Sequence, residues 1–134
     1  MLSIVNNSPD YWEFIRSLRN DKQARENSMN HHIITFDEHA NYMKKFQDRY
    51  YVCIENNKPI GYVGRNPQGY ISIAVLSEAR GKGIAKYMLQ YLRQKLKENN
   101  LQAIVSLTNE RSIRLFETCG FVKKYYIFEG EKDD

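Results

Sequence analysis

The fold is decided by residues 71–85, which read ISIAVLSEARGKGIA. An apolar run typical of a strand leads into a turn that contains Gly81 and Gly83, and an amphipathic helix follows. Glycine reaches positive φ and lets the main chain come close to a ligand. The unpaired N–H groups at a helix start, together with the helix dipole, attract an anion. These residues therefore predict a strand–turn–helix unit that binds a phosphate-bearing ligand.

The charges that follow this turn support the prediction. Residues 80–97 contain no acidic residue and six basic ones: Arg80, Lys82, Lys86, Arg93, Lys95 and Lys97. A net charge of +4 does not itself indicate nucleic-acid binding. Proteins that bind single-stranded nucleic acid place aromatic residues between basic ones for stacking, whereas the aromatic residues of this stretch lie on the predicted buried face of the helix. A nucleic-acid-binding protein is therefore a remote alternative, and we expect no nucleic-acid partner.

Two common phosphate loops are absent from the sequence. The nucleoside-triphosphate loop requires GxxxxGK(S/T), which does not occur, and the dinucleotide fingerprint requires a small residue where Lys86 stands. The pattern that remains is R-x-x-G-x-A, formed by Arg80, Gly83 and Ala85. This short pattern alone is weak, because ordinary tight turns also contain two glycines.

A second motif follows at residues 109–121, which read NERSIRLFETCGF. It fits the pattern N-x-x-(A/S)-x-x-(L/F)-(Y/F)-x-x-x-G-F through Asn109, Ser112, Leu115, Phe116, Gly120 and Phe121. The two motifs, at this separation, resemble the GNAT superfamily of acetyl-coenzyme A-dependent N-acetyltransferases over the C-terminal half of the chain. The resemblance implies an enzyme that transfers an acetyl group to a primary amine.

The resemblance also implies a set of cofactor-binding residues. In this superfamily the pantetheine arm of acetyl-coenzyme A, the cosubstrate, fills a gap between two splayed strands. The main chain of Ile73 and Val75 would pair with that arm, and the main-chain N–H groups of the glycine turn would hold the pyrophosphate. The complete implied set is Ile73, Val75, Arg80, Gly81, Lys82, Gly83, Ile84, Ala85, Asn109, Ser112 and Phe116.

The catalytic groups are less well defined by the sequence. Many family members have a tyrosine at the position of Phe116, whose hydroxyl can protonate the coenzyme A sulfur, and phenylalanine cannot do this. Tyr125 and Tyr126 are substitutes by proximity in sequence alone. His39 is the candidate general base, because an unperturbed imidazole titrates near neutral pH, and Glu55 could act through water. His31 and His32 lack a third ligand, so we expect no metal.

The N-terminal half bears on the acceptor. Its pattern LRN…R…S…I…EH resembles, more loosely, a branch that includes the amino-sugar acetyltransferases of the pseudaminic-acid pathway. Arg19 and Arg25 would then meet the phosphates of a nucleotide-linked sugar. Three hypotheses remain. The protein acetylates amino sugars, it acetylates protein N-termini or lysines, or it is a non-catalytic module that binds acetyl-coenzyme A. The third hypothesis rests on Phe116, which lacks the hydroxyl of the usual tyrosine.

The remaining periodicity predicts an α+β (mixed α/β) fold with helices flanking a central mixed sheet that contains an antiparallel meander. Residues 1–134 are expected to form a single acetyltransferase domain. Predicted strands are residues 2–5, Tyr50–Glu55, Pro59–Arg65, Tyr70–Leu76, Ala103–Leu107 and Phe121–Phe128. Predicted helices begin near Pro9, Asp21, Asp37, Ile84 and Asn109. The second is expected to run to about Met29 and the fourth to about Glu98, where Asn99 and Asn100 end it.

Composition and length bear on the cellular location of the protein and on its oligomeric state. Two cysteines without CxxC spacing, no signal peptide and no apolar run of membrane-spanning length predict a cytoplasmic protein without a membrane partner. About 13 residues follow Phe121, which is room for one strand where the family usually has two. Because an unpaired strand edge is a liability, we expect a homodimer that shares strands.

Overall fold

The computed structural model describes residues 1–97 and 100–131. Its strands are β1 (Leu2–Asn6), β2 (Tyr50–Glu55), β3 (Lys58–Arg65) and β4 (Ile71–Val75). Its helices are α1 (Pro9–Arg19), α2 (Lys22–Glu26), α3 (Phe36–Phe46), α4 (Ile84–Leu96) and α5 (Glu110–Thr118). Single 3-10 turns at Gln47–Arg49 and Ser77–Ala79 lead into β2 and out of β4.

The four strands form an antiparallel sheet in the order β1-β2-β3-β4. The hairpin between β2 and β3 turns at Asn56 and Asn57, whose φ angles are 51° and 66°. Positive φ at both positions is the geometry of the tight turn that suits the right-handed twist of paired strands. The antiparallel meander predicted from the sequence is therefore confirmed.

Each face of the sheet is covered by its own set of helices. On one face Tyr51, Cys53 and Val63 pack in a buried cluster with Met88 and other residues of α4 and with Phe116 of α5. The opposite face is covered by α1 and α3. There the buried cluster consists of Ile15, Leu18, Met43, Tyr50, Val52 and Tyr62. Successive strand residues alternate between the faces, as the twofold period of a strand requires, so β4 carries side chains toward both layers.

Two predicted strands are wrong in detail. Residues 103–107 form no ladder: they follow an isolated parallel bridge between Tyr70 and Gln102. Their alternate side chains Ala103 and Val105 pack against the core, so the apolar pattern reports burial rather than strand pairing. Residues 121–128 are also unassigned to any strand: the side chains beyond Phe121 are exposed, and no described strand pairs with them. Parallel pairing in the described residues is limited to that single bridge.

The predicted helices are confirmed, with shifted ends. α2 is shorter than expected because Asp21 caps its start and Asn27 already follows its end. α3 is capped by Thr35, with Asp37 in the first turn. The expected end of α4 at Glu98 and Asn99 lies outside the described residues. Within residues 1–97 and 100–131, no helix is both long and apolar enough to cross a membrane.

Candidate functional site

The glycine turn adopts the backbone that the sequence predicts. Gly81 and Gly83 have φ angles of 80° and 78°, in the left-handed region. A Cβ atom built on either residue meets no atom of the described residues within 4 Å, apart from those of its immediate chain neighbours. The surface of the turn is therefore open, and the glycines are required by backbone conformation rather than by crowding.

The start of α4 presents main-chain donors. Its N-cap is Gly83, so no side chain caps the helix, and the first bond within the helix runs from the Tyr87 N–H to the Gly83 carbonyl at 3.0 Å. The N–H groups of Ile84, Ala85 and Lys86 consequently have no partner inside the helix. Arg80 and Lys82 are exposed beside them. This arrangement fits the pyrophosphate of coenzyme A.

The free edge of β4 continues this surface. The Ile71 N–H donates to the Gln102 carbonyl at 2.9 Å, whereas the Leu76 N–H donates to Ile60 of β3 at 2.8 Å. Because main-chain groups alternate sides along a strand, those of Ile73 and Val75 point away from β3. In the described part of the chain, no backbone hydrogen bond joins them to residues 103–106. Beyond Gln102, β4 and this segment are thus not hydrogen-bonded through their main chains, and the unpaired groups of β4 along this gap suit a chain of amides.

The second motif lies beyond this gap, at the start of α5. The Asn109 Oδ1 atom accepts a hydrogen bond from the Ser112 N–H at 3.3 Å, so Asn109 is the N-cap of α5. Phe116 is buried in the core, and its ring lies edge-on to Phe121 with centroids 5.1 Å apart. The ring therefore has a clear packing role in addition to the predicted contact with the cofactor.

The predicted general base lies away from the glycine turn. His39 is 2% exposed, beneath α1, and both its ring nitrogens lack a hydrogen-bond partner in the described residues. Burial, reinforced by the Arg19 charge, lowers the pKa of His39 from 6.5 to about 4. The imidazole is consequently neutral at pH 7 but weakly basic.

The two arginines predicted to bind substrate make contacts within the N-terminal half. The Arg19 guanidinium lies over the Tyr42 ring, 5.1 Å from its centroid. Arg25 donates from Nε to the Asn20 carbonyl at 3.0 Å and from Nη1 to the His31 carbonyl at 3.4 Å. Arg25 thus ties together the loops around α2.

The other acid–base candidates are dispersed. Glu55 ends β2 at the hairpin, opposite Lys58. Tyr125 and Tyr126 are 78% and 85% exposed, beyond the packed body. Among residues 1–97 and 100–131, no three His, Cys, Asp or Glu side chains form a group that could hold a metal ion. The expectation that no metal takes part stays a prediction.

A cavity of about 310 Å³ lies between α2 and the start of α5. Its lining is polar or charged throughout: Gln23, Glu26, Asn27, Thr108, Asn109, Glu110, Arg111 and Arg114. Asn109 belongs both to the lining of this cavity and to the second motif. The cavity therefore lies close to the C-terminal end of residues 103–106, the segment that borders the gap beside β4. Sequence analysis did not identify this cavity, because the lining comes from two helices far apart in the chain.

Sequence analysis also missed a set of hydroxyl groups between the sheet and α3. The hydroxyls of Tyr42 and Tyr50 are hydrogen-bonded to each other, and that of Tyr62 lies 2.9 Å from Ser72 Oγ. Burial raises the pKa of Tyr50 and of Tyr62, so both remain neutral phenols. The one available signal in the sequence was Ser72, a lone hydroxyl in an otherwise apolar strand.

The acetyltransferase (GNAT) family model matches residues 12–121. Because this match covers most of the chain, the chain belongs to the GNAT family and is an acetyltransferase with acetyl-coenzyme A as its acyl donor. The family resemblance of the two motifs is thereby confirmed. A comparison with curated proteins finds no match.

Solved structures share the fold. An N-acetyltransferase from Staphylococcus aureus Mu50 is 27% identical over 88% of this chain and 81% of its own, with a TM-score of 0.72. An aminoglycoside N-acetyltransferase in complex with CoA is 15% identical over 98% and 95%, with a TM-score of 0.76. A spermidine N-acetyltransferase from Vibrio cholerae, in complex with CoA and spermine, is 21% identical over 99% and 88%, with a TM-score of 0.73.

Proposed function

We propose that residues 1–134 act as one domain that acetylates the primary amine of an amino sugar or of a nucleotide-linked amino sugar. The observation that carries the choice of acceptor is the cavity between α2 and α5. Its carboxamides, its hydroxyl and its charges of both signs suit a ligand with many hydroxyl groups better than an apolar one. The aminoglycoside acetyltransferase among the structural neighbours acts on a ligand of this general kind.

The residues that would hold acetyl-coenzyme A come from the glycine turn, from β4 and from the start of α5. Main-chain donors from Arg80 to Ala85 would bind the pyrophosphate, and Ile73 and Val75 would pair with the pantetheine amides. Asn109 and Ser112 would lie beside the arm, with Phe116 packed behind them. Acetyl-coenzyme A, when bound, supplies a thioester whose acetyl carbon bonds to the amine nitrogen as its bond to sulfur breaks. A main-chain N–H group beside the acetyl group would stabilise the charge that develops on the carbonyl oxygen.

The amine must lose a proton, and His39 stays the predicted general base. The imidazole is neutral at pH 7 and can therefore accept a proton. Its burial and its low pKa make it a weaker base than an exposed histidine. The variant His39→Gln should therefore be assayed across pH. Loss of turnover in a variant that remains folded would support the role, and full turnover throughout the range would contradict it.

The substrate proposal is tested by coenzyme A release from acetyl-coenzyme A with a panel of amines. The panel contains nucleotide-linked amino sugars, free amino sugars, polyamines and peptides with free N-termini. Release that depends on the amino sugars is the expected result. Release with the peptides alone would favour protein acetylation instead. Binding of acetyl-coenzyme A without release by any amine would favour the non-catalytic module.

We also infer a cytoplasmic homodimer. The cytoplasmic location rests on Cys53, a buried free thiol, and on Cys119, which is also unpaired. The homodimer rests on the exposed apolar segment after Phe121. Its large side chains are 56% to 93% exposed: Val122, Tyr125, Tyr126, Ile127 and Phe128. Apolar exposure of this extent is typical of a surface that a partner covers, and a second copy offers the segment at residues 103–106 as an edge for strand pairing.

A further inference from the structure

Ser72 is the single polar side chain of β4, whose other residues are Ile71, Ile73, Ala74 and Val75. Its Oγ atom lies 2.9 Å from the Tyr62 hydroxyl on the neighbouring strand. Ala74, two residues further along β4, packs with the cluster beneath α1 and α3. By the twofold period of the strand, Ser72 points to that same face.

The position of Ser72 along β4 matters because the gap has a closed end and an open end. The bridge at Tyr70 and Gln102 closes it, one residue before β4 begins. The glycine turn lies beyond the other end. A pantetheine arm anchored by its pyrophosphate at the turn and paired with Val75 and Ile73 therefore has its thioester end nearest Ser72. This step rests on the proposed function.

The two faces of the sheet give the two substrates separate approaches. The side chains of Ile73 and Val75 pack toward the face covered by α4 and α5, which also carry the predicted cofactor-binding residues. The reacting amine of the acceptor would then approach the thioester from the opposite face of the sheet, the one that α1 and α3 cover. Ser72 lies on that face and is only partly buried.

The Tyr62 phenol determines which hydrogen bonds the Ser72 hydroxyl can make. Tyr62 is 4% exposed, and burial keeps it protonated, so it can donate to Ser72 Oγ. A serine oxygen has two lone pairs, and the second remains available to a ligand N–H group. Behind Tyr62 lies the edge-on ring of Tyr50, 6.1 Å away between centroids, which holds the phenol in place.

We propose that Ser72 positions the acceptor amine: its Oγ atom accepts a hydrogen bond from the amine beside the thioester, and Tyr62 orients that oxygen. The pair supplies geometry rather than basicity, because neither hydroxyl takes up the proton that the amine loses. That proton passes to the general base or to solvent.

The test compares Ser72→Ala, Tyr62→Phe and the double variant in the full-length protein. Each single variant should raise the KM for the amine about tenfold, the ratio expected for one ordinary hydrogen bond. The affinity for acetyl-coenzyme A, measured by calorimetry, should stay within about twofold. The double variant should be little worse than either single variant, because the two hydroxyls act as one unit. Ser72→Thr keeps the hydroxyl and should restore most of the loss.

Binding measurements separate this proposal from the proposed function. Calorimetric titration of the amine into the protein saturated with coenzyme A reports amine affinity without turnover. Tyr51→Phe, which alters a phenol on the opposite face of the sheet, is the matched control and should leave amine binding unchanged. An unaltered amine affinity in Ser72→Ala would overturn the role of Ser72, even if wild-type transfer is demonstrated. Absence of transfer by the wild-type protein would instead count against the proposed function.

Discussion

The imidazole of His39 shows how burial changes the chemistry of a residue that the sequence alone presents as a base. In the sequence it stands on a helical stripe with an ordinary pKa near neutrality. In the structure it is 2% exposed and has Arg19 as its main charged neighbour, so its pKa falls to about 4. The sequence identifies His39 as a residue that can act as a base. It does not show that the imidazole is removed from water, because this burial depends on how α1 packs over α3.

A pH dependence of stability follows from this shift. Between pH 6.5 and pH 4 the unfolded chain protonates His39 while the folded protein does not, so stability falls as pH falls. The loss due to His39 should be about 2 kcal/mol between pH 7 and pH 4.5. Urea unfolding of the wild-type protein and of His39→Leu at the two pH values measures it. The variant should show the smaller loss. His31→Gln, which alters an exposed imidazole, is the control; equal losses in all three proteins would contradict the prediction.

The strand–turn–helix from β4 to α4 is the element that the sequence predicts best, because its information is local. Two glycines with positive φ and an apolar strand before them are visible without any tertiary contact. The strand at residues 103–107 was predicted by the same kind of pattern and does not form. Apolar alternation reports burial, whereas a ladder also requires a partner strand. The hydroxyl pair of Tyr62 and Ser72 was missed for a related reason, since it joins two strands.

Gly83 allows the glycine turn to be tested with an internal control. Gly83→Ala forces a φ of 78° on an alanine, which should cost about 1 to 2 kcal/mol of folding free energy. It also places a methyl group where the main chain must approach a phosphate, so acetyl-coenzyme A affinity should fall at least tenfold. Gly69→Ala carries a similar strain, at a φ of 97°, in the turn between β3 and β4. Urea unfolding should show comparable losses, and calorimetry should show weakened binding in Gly83→Ala alone. Equal affinities in the two variants would contradict the role of the turn.

At the scale of the whole molecule, the packed body and the segment after Phe121 differ in how completely their apolar groups are covered. The body buries two clusters on opposite faces of one sheet. The segment leaves Tyr126 and Phe128 at 85% and 93% exposure. The sequence indicates the apolar character of this segment but not its exposure, which depends on how the rest of the described chain packs.

The homodimer is tested by sedimentation equilibrium of the 15.9 kDa chain at micromolar concentration. The wild-type protein should have twice the monomer mass. Phe128→Asp should shift the equilibrium to the monomer, because a charge would be buried in the shared surface. Phe36→Asp alters another exposed aromatic residue, 61% exposed at the start of α3, and should leave the dimer intact. A wild-type monomer at all concentrations would exclude the homodimer.

The unpaired edge of β4 beside residues 103–106 is also an edge to which another polypeptide can add a strand. The unpaired main-chain groups that would bind the pantetheine amides can bind the amides of another polypeptide equally well, because both present the same donors and acceptors. Acetyl-coenzyme A, by covering this edge, would then protect the folded protein against aggregation. Light scattering during heating should begin at a higher temperature with coenzyme A present than without it.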